Sequence, residues 1–297
     1  MGKVNGFGIY VLIPVFLFSS VFLIASCGDD KSTDPDTDAT EVIELSETEL
    51  DFATDVGDPD PANQVVSVTN TGAGTLSGLG ATISYQAGQP TGWLSAILGG
   101  TIAPADLTIQ ATTGGGALAS GIYNATVRVA SSKANNSPQL IDIIFMLLTK
   151  YGKPIEYANG SNHSPNYLLG SKITVPAACT LTHLCVIGKT AGPQVKMALY
   201  TEVGGQPSQL VASTPATVLV DGELELAVTP TPISAGNYWF MAVYNTTANV
   251  GFLQTNDPND QVKFFSFTFS SEIPATYPSH STYTGQVFNY YIKAALD

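Results

Sequence analysis

The chain has 297 residues and a formal net charge of −13 at pH 7, from 11 Lys and Arg against 24 Asp and Glu. Its one arginine is Arg128; nucleic-acid binding needs a basic footprint to neutralise phosphates, so nucleic acid is excluded as a partner. Only 12% of residues are charged, while 28 glycines and 18 prolines sit among many Thr, Ser and Val, which is the balance of an extracellular all-β protein rather than a helical enzyme.

Lys3 precedes an uncharged, apolar run from Phe7 to Ile24. A short positive region, an apolar stretch and small residues before a cut site describe a secretory signal. A membrane-spanning helix is the other reading of such a run, and Pro14 weakens it by removing a helical hydrogen bond. The run ends in Ile24-Ala25-Ser26-Cys27, which resembles a bacterial lipobox. The resemblance implies cleavage before Cys27 and acylation of Cys27, giving a lipid-anchored protein with residues 1–26 as signal peptide. Two or more acyl chains, at about 0.8 kcal/mol per buried methylene, anchor a protein stably.

Residues 27–43 follow as a tether. The stretch GDDKSTDPDTDATE is acidic and has no aromatic or large aliphatic residue, so it cannot bury enough apolar surface to offset its ordering entropy. Gly28 stands after the cysteine, and Asp29-Asp30-Lys31 resembles the acidic export signals of surface lipoproteins in some Gram-negative bacteria. The expected location is the outer membrane of such a cell, facing outward, with the membrane contacted through the lipid.

Residues 44–149 are expected to form one β-sandwich. Strand-like runs ELDFA, QVVSVTNT, GATISYQ, WLSAI, LTIQATT, GIYNATVRVASS and QLIDIIFMLLTK are punctuated by Gly, Pro, Asn and Asp. In GIYNATVRV, Tyr123, Ala125, Val127 and Val129 alternate with Asn124, Thr126 and Arg128, which predicts one buried and one wet face. The order of these pieces, with Gly92-Trp93-Leu94 and Gly121-x-Tyr123, resembles the BACON-type immunoglobulin-like domain. The resemblance implies a small sandwich found on glycan-degrading and surface proteins, as a carbohydrate binder or a spacer. Leu79 and Gly80 stand where many members carry a tryptophan, and Trp93 reads as a core residue.

Residues 150–297 are expected to form a second, jelly-roll-like sandwich. Runs such as TLTHLCVIG, QVKMALYTE, GNYWFMAVY, VKFFSFTF and FNYYIKAAL supply its strands, and Asp221-Gly222 marks a hairpin turn. The stretch from Lys196 to Tyr244 resembles accessory β-sandwich modules of bacterial surface and secreted proteins. Aromatic residues concentrate in this half. Phe265, Phe267 and Phe269 share one face and read as core, and GNYWFMAVY is apolar on both faces, as expected of a central strand or one covered by a loop.

Two segments read instead as ligand-binding loops. YANGSNHSPNYL carries Tyr157, Asn162, His163, Asn166 and Tyr167; EIPATYPSHSTYTG carries Tyr277, His280 and Tyr283. Tyrosine offers a flat apolar face and a hydroxyl at low entropy cost, and Asn and His can bond ring hydroxyls, a combination that suits sugars or protein surfaces.

No metal or cofactor is expected beyond one candidate calcium site at Asp257 and Asp260 in TNDPND. Cys179 and Cys185 lie in one strand-like run. Six residues of strand cover roughly 20 Å, whereas a disulfide needs Cα atoms within about 7 Å, so free thiols are expected. Cys179, His183 and Cys185 nominally share a strand face, without the further ligands that zinc requires. Glu223 and Glu225 are the nearest thing to a glycosidase pair, and they read as solvated hairpin carboxylates. The expected role is therefore non-catalytic glycan binding or adhesion through the second sandwich. The alternative is a spacer or assembly lipoprotein that binds envelope proteins.

Overall fold

The computed structural model describes residues 41–297. The expected signal peptide, Cys27 and most of the expected tether lie outside the described residues. Among the described residues every regular element is a strand, and the strands pack as β-sandwiches, the all-β architecture expected from the sequence.

The first sandwich is built from β1 (Ile43–Leu45), β2 (Glu49–Asp55), β3 (Gln64–Asn70), β4 (Gly80–Tyr85), β5 (Leu94–Leu98), β6 (Ala105–Ala111), β7 (Gly121–Ala130) and β8 (Gln139–Gly152). One sheet has the order β1-β3-β6-β5, and the facing strands are β2, β8, β7 and β4. β2 runs parallel to β8, with Glu49 opposite Asp142. Order begins before the expected boundary. Glu41 bridges to Ala134, and Ile43 is buried with its backbone clamped on both sides by the Asn136 amide. Residues 41–43, counted with the tether by composition, are thus held by the sandwich. β7 alternates as its sequence predicts, and Trp93 sits in the core between Tyr85, Tyr123 and Phe145. Its indole N–H donates to the Pro90 carbonyl, so burial leaves no polar atom unsatisfied there.

The second sandwich follows with β9 (Asn159–His163), β10 (Tyr167–Val175), β11 (Cys179–Gly188), β12 (Gln194–Val203), β13 (Gln206–Ser213), β14 (Thr217–Val218), β15 (Gly222–Ile233), β16 (Gly236–Tyr244), β17 (Ala248–Gln254), β18 (Gln261–Ser266), β19 (Ser281–Thr284), β20 (Gln286–Phe288) and β21 (Tyr290–Leu296). One sheet has the order β13-β12-β16-β10-β18-β19. The other contains β20-β17-β11-β21, with β15 on β11 and β9 on β17. Between them lies a core that includes Leu169, Phe240, Tyr244, Phe288 and Tyr290.

β16 is central, and it is covered on both sides. Tyr238, Phe240 and Tyr244 enter the core between the sheets, while Trp239, Met241 and Val243 join a smaller cluster on the outer face. The segment after β18, carrying Phe267, Phe269, Ile273 and Tyr277, closes over that cluster. Its backbone is pinned by Tyr200, whose hydroxyl donates to the Pro274 carbonyl, and by Lys196, whose ammonium donates to the Phe269 and Ser271 carbonyls.

β8 does not stop at the expected domain boundary of 149/150. Its last residues pair with β21, Thr149 opposite Ala294 and Gly152 opposite Tyr291, so one sheet of each sandwich merges into a ten-stranded sheet. The hydrophobic cores on the two sides of this joint remain separate clusters. Charge marks the joint. Lys293 lies 2.7 Å from Asp55 and 2.6 Å from Glu225, and Lys150 lies 3.2 Å from Asp55 and 3.4 Å from Glu223.

β11 carries a bulge between Leu181 and His183. An extra residue in a strand reverses which face the following side chains meet. Cys179 consequently packs in the core between the sheets, whereas Cys185 packs with Ile187 and Tyr291 on the opposite face. Both thiols are buried and unpaired. The shared face expected for Cys179, His183 and Cys185 is therefore corrected by the bulge.

Candidate functional site

The two segments that read as loops each contain an edge strand. Residues 159–163 form β9 on the rim of one sheet, and residues 281–284 form β19 on the rim of the other. A groove of about 270 Å³ opens between these rims, where the sheets part. Ser161, Asn162, His163 and Ser164 line it from one side, and Tyr167, Leu169, Phe264 and Tyr283 from the other.

The aromatic side is a consequence of register. Phe264 stands opposite Leu169 on β10 and opposite Ser281 on β19, and Tyr283 stands opposite Val262. With a period of two, Tyr167, Leu169, Val262, Phe264 and Tyr283 share the inner face of this sheet. Leu169 and Val262 are swallowed by the core, but Tyr167 and Tyr283, farther out, keep 38% and 37% of their surface exposed. Ring centres are 6.2 Å apart for Tyr167 and Phe264 and 5.7 Å for Phe264 and Tyr283, tilted by 58° and 55°. The rings make a corner rather than a coplanar platform. Burial pushes the Tyr283 hydroxyl up to about 12, so it remains a donor at ordinary pH.

The polar side is shorter. Asn249 Nδ2 donates to Asn162 Oδ1 at 2.7 Å, which fixes the Asn162 amide on the rim. His163 is buried beneath it, edge-on to Phe288 at 4.6 Å and to Tyr244 at 5.5 Å. Its Nδ1 lies 3.3 Å from the Tyr290 hydroxyl, and its Nε2 is enclosed without a partner among the described residues. Desolvation holds this imidazole down at about 3, so the ring is neutral.

Four of the expected binding residues thus meet in one groove: Asn162, His163, Tyr167 and Tyr283. Four do not. Tyr277 is corrected to a core residue: it is buried edge-on against Tyr200 and Phe265, and its hydroxyl donates to the Leu168 carbonyl. His280 is turned toward β13, with Nε2 2.8 Å from Gln206 Oε1. Asn166 holds a turn at φ 61°, and its Oδ1 accepts from the Phe269 N–H. Such short amide side chains tolerate the left-handed region and bond nearby backbone. Tyr157 is half-buried, its N–H donating to Asn289 Oδ1. Burial raises the Tyr157 phenol, and the Asp260 charge adds to that shift.

Phe264, Ser161 and Ser164 were not expected. In VKFFSFTF the period-two face of Phe265, Phe267 and Phe269 dominates, and Phe264 belongs to the other face. The signal that could have found it is the run of two adjacent aromatics, which requires one on each side of the sheet.

Asp257 is engaged in its own turn. Its Oδ1 accepts from the Asn259 backbone and side-chain N–H groups at 2.8 and 2.9 Å. Among the described residues no group of three or more His, Cys, Asp or Glu is placed to hold a metal ion. Glu223 and Glu225 are likewise occupied. The Tyr291 hydroxyl lies 2.7 Å from one and 3.0 Å from the other, and Lys150 and Lys293 neutralise them. Both side chains nonetheless keep solvent contact, Glu223 at 43% and Glu225 at 30% exposed, as expected of solvated hairpin carboxylates, while also pairing with the Tyr291 phenol and the two lysines.

No protein-family model matches the chain, and no curated protein matches it. Among solved structures it is similar to tripeptidyl peptidase 2 (TPP II), at 11% identity and a TM-score of 0.28, over 75% of this chain and 22% of that one. It is also similar to the secreted serine protease VesC from Vibrio cholerae, at 11% identity and a TM-score of 0.27, over 79% of this chain and 53% of that one. The chain spans less than two thirds of either.

Proposed function

We propose that this is a lipid-anchored protein of a bacterial cell surface that binds glycan, or adheres through it, without catalysis. The groove of the second sandwich is the binding site, and the first sandwich, BACON-like in sequence, carries it away from the membrane. Cys27 holds the lipid, residues 28–40 are the tether, and the location is the outer membrane of a Gram-negative cell.

The observation that supports this reading best is the groove itself. Aromatic faces at Tyr167, Phe264 and Tyr283 oppose hydrogen-bonding groups at Ser161, Asn162 and Ser164. Sugars present an apolar face and a ring of hydroxyls, and they need both kinds of wall at once. The test is binding of the full chain to a broad glycan panel, beside Tyr283→Ala and Asn162→Ala variants. Saturable binding that both variants weaken supports the reading. Binding that neither variant changes moves the site elsewhere.

A second reading has its own observation. The ten-stranded sheet and the ions at its joint tie the sandwiches into one continuous body, as a spacer between partners requires. Absence of glycan binding across the panel, with capture of an envelope protein, would favour it.

A further inference from the structure

We propose that the groove takes one uncharged pyranose, the end residue of a neutral glycan, rather than a run of residues along a chain. This rests on the glycan reading of the groove given above.

Charge excludes the anionic sugars. Ser161, Asn162, Ser164, Tyr167, Phe264 and Tyr283 line the groove with His163 and Leu169, and none is a cation or a carboxylate. His163 is neutral, as shown above. A uronate or sulfate would be desolvated with no opposite charge to meet it, which is costly. The net charge of the chain, −13, adds a long-range repulsion.

Shape sets the length. Successive residues of an extended glycan lie on successive coplanar rings. Here Tyr167 and Tyr283 each tilt by more than 50° against Phe264, so the three rings offer no flat run on which successive sugar residues could stack. His163 and Leu169, both buried, close the floor over the core, so a chain cannot thread deeper. At about 270 Å³ the space lies just below the range of roughly 300–1,000 Å³ that holds drug-sized ligands.

Polarity supplies the orientation. Asn162 Oδ1 is taken by Asn249, so its amide N–H groups are left to donate to ring hydroxyls. The hydroxyls of Ser161 and Ser164 can donate or accept. The Tyr283 phenol, kept protonated, is a further donor.

The test is calorimetric titration of the full chain with three probes. The first is a set of uncharged methyl hexopyranosides and N-acetylhexosaminides. The second is the matching methyl uronides, and the third is neutral oligosaccharides of increasing length. The expected result is that at least one uncharged methyl glycoside saturates the protein. Lengthening at the reducing end should change its affinity by no more than about twofold, and Tyr283→Ala or Asn162→Ala should weaken it about tenfold or more. Tyr167→Ala, on the same side of the groove as Tyr283, is a third variant and should weaken binding likewise, and near-ultraviolet circular dichroism confirms that each variant is folded. Affinity that climbs with every added residue, or a uronide that binds more tightly, overturns the single neutral residue but leaves a glycan site in place. Failure of every sugar to bind overturns the glycan reading itself.

Discussion

The Lys293 ammonium lies 2.7 Å from the Asp55 carboxylate, and each is only 10% exposed at its side chain. Asp55 ends a strand of the first sandwich and Lys293 sits in the last strand of the second, so one ion pair spans the joint. Burial by itself would pull Lys293 down. The hydrogen bonds and charges of Asp55 and Glu225 outweigh that and hold it above its usual value.

Lys293→Met should therefore uncouple the sandwiches. It leaves Asp55 and Glu225 with only Lys150, at 3.2 and 4.0 Å, as a shared cation, and losing one partner of a largely buried pair costs up to about 3 kcal/mol. Calorimetry should show one unfolding transition in the parent chain and two in the variant. Stability from this pair is present below the unfolded lysine value and is lost as pH rises through the higher folded one. Denaturation midpoints should accordingly fall in strong alkali, and fall less in the variant.

His163 makes the opposite prediction in acid. Its folded value of about 3 lies below the ordinary imidazole value of about 6.5, so the unfolded chain binds a proton that the folded chain refuses. The loss of stability begins as pH drops below about 6.5, grows by up to about 1.4 kcal/mol per unit, and levels off near 3. His163→Phe keeps a ring among Tyr244, Phe288 and Tyr290 and removes the proton site. Urea midpoints measured between pH 7 and pH 4 should fall less steeply in that variant.

Cys179 and Cys185 should be inert until the chain unfolds. They face opposite sides of β11, and burial pushes the Cys179 thiol up to about 11 and raises the Cys185 thiol too. Iodoacetamide at neutral pH should label neither residue in the native protein and both in denaturant, as read by peptide mass. A mass shift for a bond between them would contradict the extended course of β11 from Cys179 to Cys185.

Asn166→Ala should loosen the cover over the outer cluster. The substitution removes the acceptor for the Phe269 N–H and places a Cβ residue at φ 61° without the local hydrogen bonding that favours asparagine there. A loss of about 1–2 kcal/mol is expected. Amide exchange should speed up at Phe267 and Phe269, whose N–H groups bond to Asn166, and stay slow in β16.

The strands with a clear period were legible. GIYNATVRV alternates in the structure as it does in the letters, because one face of β7 meets the core and the other meets water. β9 and β19 were not. Their residues, Asn-Gly-Ser-Asn-His and Ser-Thr-Tyr-Thr, lack apolar alternation, since an edge strand at a groove has little core to face. Tyr277 and Tyr283 look alike in sequence. Only distant partners separate them: Tyr200 and the Leu168 carbonyl bury the first, whereas the second packs against Phe264 and keeps 37% of its surface exposed. The bulge in β11 was equally hidden, because parity along a strand is visible in sequence and its interruption is not.

The central claim is that sugars enter between Tyr283 and Asn162 and nowhere near Tyr277. Fluorine NMR of protein labelled with 3-fluorotyrosine tests it most directly, with each resonance assigned by a Tyr→Phe variant. Titration with a neutral glycan that binds should shift the Tyr167 and Tyr283 resonances and leave Tyr277 still. A shift at Tyr277 with Tyr167 and Tyr283 unmoved would contradict the account.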